Sequence, residues 1–411
     1  MEARTHYTPY NLRWFNKILR WFYGSYLRSW YRMKAIGADM VADIKGPYVL
    51  IPNHQSLLDP FMISTFVPQS IYWVTSDANM RSRIMRFLLR LVGSIPKSKV
   101  IPDLVTVNWI VDVVRRRGGV VGIFAEGQSS WDGHTLPLIP STAKMVKLLK
   151  VPVVVATLRG VYHSRPRWSW HPRRGRVEIE FRKIFDGPEL KAMDSDSILD
   201  ILTRSMEYDE DDWHTGVRIP YRGGQRARHL ELALFMCPHC GRVGDMRSAG
   251  NRLYCHYCGH TARLSPYYRF RPVGQSVPRF QTIRQWMLWQ KDAFAAFVRE
   301  ASAKPHRPIL SDSGVMLLKG RRMRALKNLR TGTLVMYPDR VELATLSGER
   351  LAFPLATIEG AGVQKQQRFE FYVGRDLYQF RFPLRRQSGL KWLLAVQELQ
   401  AMMGMPAASP A

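Results

Sequence analysis

The sequence predicts three folded units in series. They are an α/β unit with a mostly parallel central sheet, a small cysteine module, and a C-terminal antiparallel β unit closed by a terminal helix. Three observations predict this. Apolar strand-length runs alternate with helical periodicity up to about residue 190, as in a parallel sheet covered by helices. Two Cys-x-x-Cys pairs follow, Cys237 with Cys240 and Cys255 with Cys258. From Gly314 short strands dominate, and one helical stretch follows them.

In residues 12–34, Trp14, Phe15, Ile18, Leu19, Phe22, Tyr26 and Trp30 recur at three- and four-residue steps. Arg13, Lys17, Arg20, Arg28, Arg32 and Lys34 fill much of the remaining surface. This predicts an amphipathic helix in a membrane interface, with aromatic rings at headgroup level and cations reaching lipid phosphates. An apolar strand over 47–52 ends at Asn53 and His54, and a helix runs from Ser56 to about Thr65. Strands are predicted at 71–75, 119–125, 151–158 and 177–181. Helices are predicted at 80–92, 106–117 and 141–149. The acidic stretch 194–212 closes the first unit with a helix, giving a domain over 1–230.

The cysteine module spans 231–266. A linker with a helix at 282–300 covers 267–308. The β unit covers 309–403, with strands at 333–337, 340–344, 351–354, 369–372 and 377–382 and a helix at 389–402.

The chain has 411 residues, two or three domains' worth. With 46% hydrophobic and 23% charged residues it is not a disordered chain. Four cysteines are too few for a disulfide scaffold. The formal charge is +28, from 61 Lys and Arg against 33 Asp and Glu. Residues 1–230 carry +13 and residues 231–411 carry +15, so the excess is not one basic tail. It calls for an anionic partner: nucleic acid, an anionic membrane surface or a phosphorylated ligand. No apolar run approaches the roughly 20 residues a bilayer span needs, and no secretory signal is seen. The expectation is a peripheral protein in a reducing compartment, on the cytoplasmic face of a membrane.

His54 and Asp59 are the catalytic candidates. The imidazole lies where a strand gives way to a helix, the usual place for reactive groups in open α/β sheets. A neutral imidazole can take a proton from an alcohol. A carboxylate one helical turn on can hold its other ring nitrogen and stabilise the imidazolium. Two loops are candidate binding elements. Gly93-Ser94-Ile95-Pro96-Lys97-Ser98-Lys99 is a glycine turn followed by two cations that suit a phosphate. Phe124-Ala125-Glu126-Gly127 delivers polar groups to the end of a buried strand, with a glycine allowing close ligand approach.

The order of these motifs, with Val151-Pro152 after them, resembles the glycerolipid acyltransferase family of the lysophosphatidic acid acyltransferase type over about residues 30–190. The resemblance implies that His54 is the general base and Asp59 its orienting partner. It implies that Gly93, Lys97, Lys99, Glu126 and Gly127 bind substrate. The implied reaction moves a fatty acyl group from an acyl thioester, acyl-CoA or acyl carrier protein, to a hydroxyl of a lysolipid acceptor. The expected acceptor is 1-acylglycerol-3-phosphate, and the setting is phospholipid synthesis. Three positions depart from the family's Phe-Pro-Glu-Gly-Thr-Arg block: Ala125, Gln128 and Ser129. Ser129 stands where an Arg would pair with the acceptor phosphate, leaving Lys97, Lys99 or Lys144 to supply that charge. The alternative is a catalytically degenerate membrane- or nucleic-acid-binding protein on the same scaffold.

Fourteen residues separate the Cys-x-x-Cys pairs, and Gly241 and Gly259 follow them. That spacing predicts a zinc ribbon with a structural Zn held by Cys237, Cys240, Cys255 and Cys258. Its role is open between nucleic-acid contact and a spacer or protein dock. The β unit resembles a pleckstrin-homology-like or GRAM-like domain, which implies a lipid or protein partner. The run Lys319, Arg321, Arg322, Arg324, Lys327 and Arg330 is expected just before its strands, where it suits anionic headgroups.

Overall fold

The computed structural model describes residues 7–98, 104–304 and 306–405. Seven strands form the first sheet: β1 (Lys34–Ile36), β2 (Val49–Pro52), β3 (Ile71–Ser76), β4 (Ile95–Lys97), β5 (Val120–Gly122), β6 (Pro152–Arg159) and β7 (Glu178–Asp186). Their order is β1-β7-β6-β2-β5-β3-β4. Every pairing is parallel except β6 with β7. All four β2 residues are buried, as expected for a central strand covered on both faces. The pleat sends Val49 and Ile51 to one core with Ile110, Val146 and Leu202. It sends Leu50 to the other with Leu27, Met62 and Val161.

β7 runs beyond the predicted 177–181. Its continuation carries exposed Arg182 and Lys183, and that polar stretch hides the strand from a hydrophobicity reading. The stretch 194–212 holds two helices, Ser195–Met206 and Glu210–Val217, instead of one. Asp194 and Asp209 each accept two backbone N–H groups as N-caps.

The N-terminal helix runs as Arg13–Leu19, a π-helical Arg20–Gly24 and Ser25–Trp30. It stops short of residue 34 because Arg32 takes positive φ and the chain then joins the sheet edge as β1. Only Gly24 and Leu27 of this rod are buried.

Around the cysteines, strands Met246–Ala249, Arg252–Cys255, Thr261–Leu264 and Phe270–Arg271 form an antiparallel sheet. The helix Ile283–Ser302 starts at a capping box of Thr282 and Gln285. It buries Trp286, Met287, Gln290, Phe294 and Val298. It is therefore not a free linker. One continuous core runs from Trp131, Tyr162 and Trp168 of the first unit through this helix to Phe369 and Trp392 of the last. Buried polar groups tie the same seam. The Tyr268 hydroxyl donates across it to the His163 carbonyl, and on the first unit's side Glu210 accepts from the Gly160 N–H and the Tyr208 hydroxyl.

The last unit has seven antiparallel strands, Leu310–Gly320, Lys327–Met336, Arg340–Thr345, Arg350–Pro354, Glu359–Gln364, Arg368–Val373 and Asp376–Arg381. Leu310–Gly320 lies centrally, between Lys327–Met336 and Asp376–Arg381. The helix Gly389–Met402 covers the unit as the periodicity predicts. The basic run expected ahead of the strands instead occupies the first hairpin and its tip. Leu310–Gly320 was hidden by its Ser-Asp-Ser-Gly segment, where the pairing with Lys327–Met336 shifts register.

Candidate active site

The carboxyl ends of the parallel strands open into a cleft of about 2080 Å³, where open α/β sheets bind ligands. That exceeds an ordinary small-molecule pocket and leaves room for two long substrates. β2 ends at Asn53, whose side chain donates to the Leu158 carbonyl and accepts its N–H, fixing the strand end to β6. His54 follows and lines the cleft.

The helix Asp59–Ser64 has Pro60 in its first turn, a position that needs no N–H. Asp59 is fully buried, and its Oδ2 turns back to the preceding loop. It lies 2.8 Å from His54 Nδ1 and accepts the Gln55 and Ser56 N–H groups at 2.7 and 2.9 Å. The expected His54–Asp59 pair is thus formed, with the imidazole about one-sixth exposed to the cleft. The Phe124 ring lies 4.2 Å from the imidazole and stacks on Trp73, limiting ring rotation.

Glu126 sits behind the cleft wall. It is fully buried and does not line the cleft, although Phe124, Gly127, Gln128 and Ser129 do. Its Oε1 accepts the His54 N–H at 2.7 Å and its Oε2 accepts the Leu136 N–H at 2.8 Å. It ties the His54 backbone to the Leu136 loop. Burial raises its pKa to about 8, against the lowering effect of both N–H groups.

Gly93 also serves packing. Its φ is +77°, and a Cβ there would lie 2.7 Å from Asn11 Cβ. Lys97 and Lys144 line the cleft, and burial lowers the Lys97 pKa. Lys99 lies outside the described residues.

Sequence reading missed Arg167. Its Nη1 donates to Gln128 Oε1 at 3.2 Å and to the Ser129 carbonyl at 2.7 Å, and its guanidinium lies over the Trp131 ring. Nη2 donates to the Val363 carbonyl of the C-terminal unit. A cation thus reaches the backbone at Ser129 from a distant loop. No local spacing could announce it.

The four cysteine sulfurs lie within 4.8 Å of one another, with Cys237 to Cys258 at 3.7 Å and Cys240 to Cys255 at 3.8 Å. Sulfurs about 2.3 Å from one tetrahedral centre stand roughly 3.8 Å apart, so the geometry suits a metal. In each knuckle a positive-φ glycine, Gly241 or Gly259, donates its N–H to the first cysteine's carbonyl.

Residues 32–159 match the family model described as "Acyltransferase". No characterised protein matches the sequence at a significant level. Among solved structures the chain is similar to the 1-acyl-sn-glycerophosphate (LPA) acyltransferase PlsC from Thermotoga maritima. Identity is 18% and the TM-score 0.40, over 47% of this chain and 79% of that one.

Proposed function

We propose that the protein, whose residues 32–159 match the acyltransferase family model, moves a fatty acyl group from an acyl thioester to a hydroxyl of a lysolipid, with 1-acylglycerol-3-phosphate as the acceptor. The observation that carries this is the His54–Asp59 pair on the wall of a cleft large enough for two lipid-like substrates. Asp59 takes Nδ1–H and fixes the tautomer, leaving Nε2 as the base. Nε2 removes the acceptor's hydroxyl proton as its oxygen attacks the thioester carbonyl carbon. The tetrahedral intermediate collapses, the C–S bond breaks, and the imidazolium of His54 hands its proton to the departing thiolate. The products are an ester and a free thiol. The donor is acyl-CoA or acyl carrier protein.

The test is transfer from radiolabelled oleoyl-CoA or oleoyl carrier protein to a panel of lysolipids. His54→Ala and Asp59→Asn each lose about 10²-fold or more in kcat, with the thermal transition retained. Near-normal turnover in either variant defeats the proposal.

The protein acts at a membrane surface. Supporting this, Trp14, Trp21, Phe22, Ile84 and Phe87 are all more than half exposed on the helices Arg13–Leu19, Arg20–Gly24 and Arg83–Leu91. These helices are joined through the Tyr10 and Leu12 N–H groups to the Arg90 and Leu91 carbonyls. Exposed apolar area on this scale marks an interaction face, and Arg13, Lys17 and Arg20 line the cleft beside it. No helix among the described residues is long and apolar enough to cross a membrane. The four-cysteine set holds a structural zinc, a role its sulfur spacing supports, and four thiolates leave no coordination position for substrate. Cysteines kept unoxidised for a metal favour a reducing compartment, hence the cytoplasmic face. The seven antiparallel strands with a terminal helix support a PH/GRAM-like unit at 309–403. That unit and the ribbon at 231–266 offer surfaces to a protein partner.

A further inference from the structure

The C-terminal unit supplies part of the cleft wall, and that part is basic. Lys365, Arg368 and Arg381 all line the cleft. The register pairs Phe369 with Phe380 across antiparallel strands, which puts Arg368 and Arg381 directly opposite each other. Like charges at such a position destabilise a sheet. Nearby Glu370 is taken: Arg81 lies 3.0 Å from its Oε2 and Gln379 Nε2 donates to the same oxygen at 2.7 Å. Among the described residues, no carboxylate lies within ion-pair distance of Arg167, Lys365, Arg368 or Arg381. Arg167 spans the seam between the units on neutral partners only. The loop it contacts reaches the His54 backbone, since the Ser130 N–H donates to the His54 carbonyl at 3.0 Å.

Gathering guanidinium groups in a partly desolvated cleft without counter-charge is costly unless an anion completes the site. The planar guanidinium fork matches phosphate oxygens in pairs. We propose that Arg368 and Arg381, paired across the strands of the C-terminal unit on the cleft wall, form a site for the phosphate of the acceptor. The C-terminal β unit is thereby part of the substrate site. The ligand's identity as acceptor rests on the acyl-transfer reading. An acyl-CoA donor also carries phosphate, so the experiment separates the two sources.

The test uses the full chain and its Arg368→Gln/Arg381→Gln double variant. In the kinetic arm the double variant raises KM for lysophosphatidate at least about tenfold, the scale of a lost charged hydrogen bond. It leaves KM for oleoyl-CoA and for an uncharged monoacylglycerol acceptor unchanged. Its melting temperature holds or rises, because the like-charge pair is gone. In the binding arm, calorimetry with 1-hexanoyl-lysophosphatidate shows the same loss without any turnover. Absence of acyl transfer, with binding that the double variant abolishes, defeats the acyl-transfer reading and leaves the phosphate site standing. Unchanged lysophosphatidate KM and binding overturn the site, as does a KM effect confined to oleoyl-CoA.

Discussion

Asp59 shows how much one carboxylate can organise. A single oxygen meets His54 Nδ1 and two backbone N–H groups, so the loop that carries His54 is built around the carboxylate that meets its ring. Glu126 does the complementary work from below, tying the His54 N–H to the Leu136 loop. Its raised pKa makes a pH prediction. A folded pKa near 8, against an ordinary 4.5, means the folded state keeps a proton that the unfolded chain has released. The associated stability is fully present below about 4.5 and is lost as pH rises through about 8. Glu210 is shifted in the same direction by burial. Thermal melts should therefore fall from pH 5 to pH 8, and Glu126→Gln should flatten that slope. The same variant should lower kcat about tenfold by letting His54 drift. An unchanged slope would remove this account of Glu126. His54 and Asp59 were legible because both lie in one strand–loop–helix segment. The positioning role of Glu126 was not, because its partners are backbone groups at His54 and Leu136.

At the level of elements, the N-terminal rod and the helix Arg83–Leu91 are amphipathic in sequence, and the fold leaves their apolar sides uncovered. Trp21, Phe22 and Phe87 are each about 60% exposed. Burying such side chains against lipid is worth roughly 1.5–3 kcal/mol apiece. Trp21→Glu with Phe87→Glu should abolish flotation with anionic phosphatidylserine vesicles and leave the melting temperature within a few degrees. Flotation equal to the parent protein would refute the membrane-face reading. The helix Gly389–Met402 was readable from its apolar period, whereas Leu310–Gly320 and the outer half of β7 were not. In both, polar residues occupy strand positions and the ladder of a neighbouring strand supplies the structure.

Across the whole molecule, the three units share a core, and this alters what the cysteine module does. Cys237 and Cys255 are buried in the same apolar cluster as Trp286, Phe294 and Trp392. Metal removal should therefore be felt throughout the chain. The purified protein should carry one zinc per chain by elemental analysis. A strong chelator should lower the melting temperature of the single main transition by well over 5 °C, because metal binding is coupled to folding. A metal-free protein with the parent melting temperature would exclude a structural metal. The linker expected at 267–308 contains the helix Ile283–Ser302, whose buried face joins the units and so keeps Arg368 and Arg381 at the cleft.

The sequence by itself determined the alternation of strands and helices, the four-cysteine knuckles, the His54–Asp59 pair and the closing helix. Each depends on contacts within a few residues or on a simple hydrophobic period. Only the tertiary structure decided what surrounds His54: Glu126 turned inward, Arg167 brought beside Ser129, and the C-terminal strands set against the cleft. Those arrangements join residues tens to hundreds of positions apart. They are fixed by packing of the shared core, which leaves no periodic or local mark in the chain.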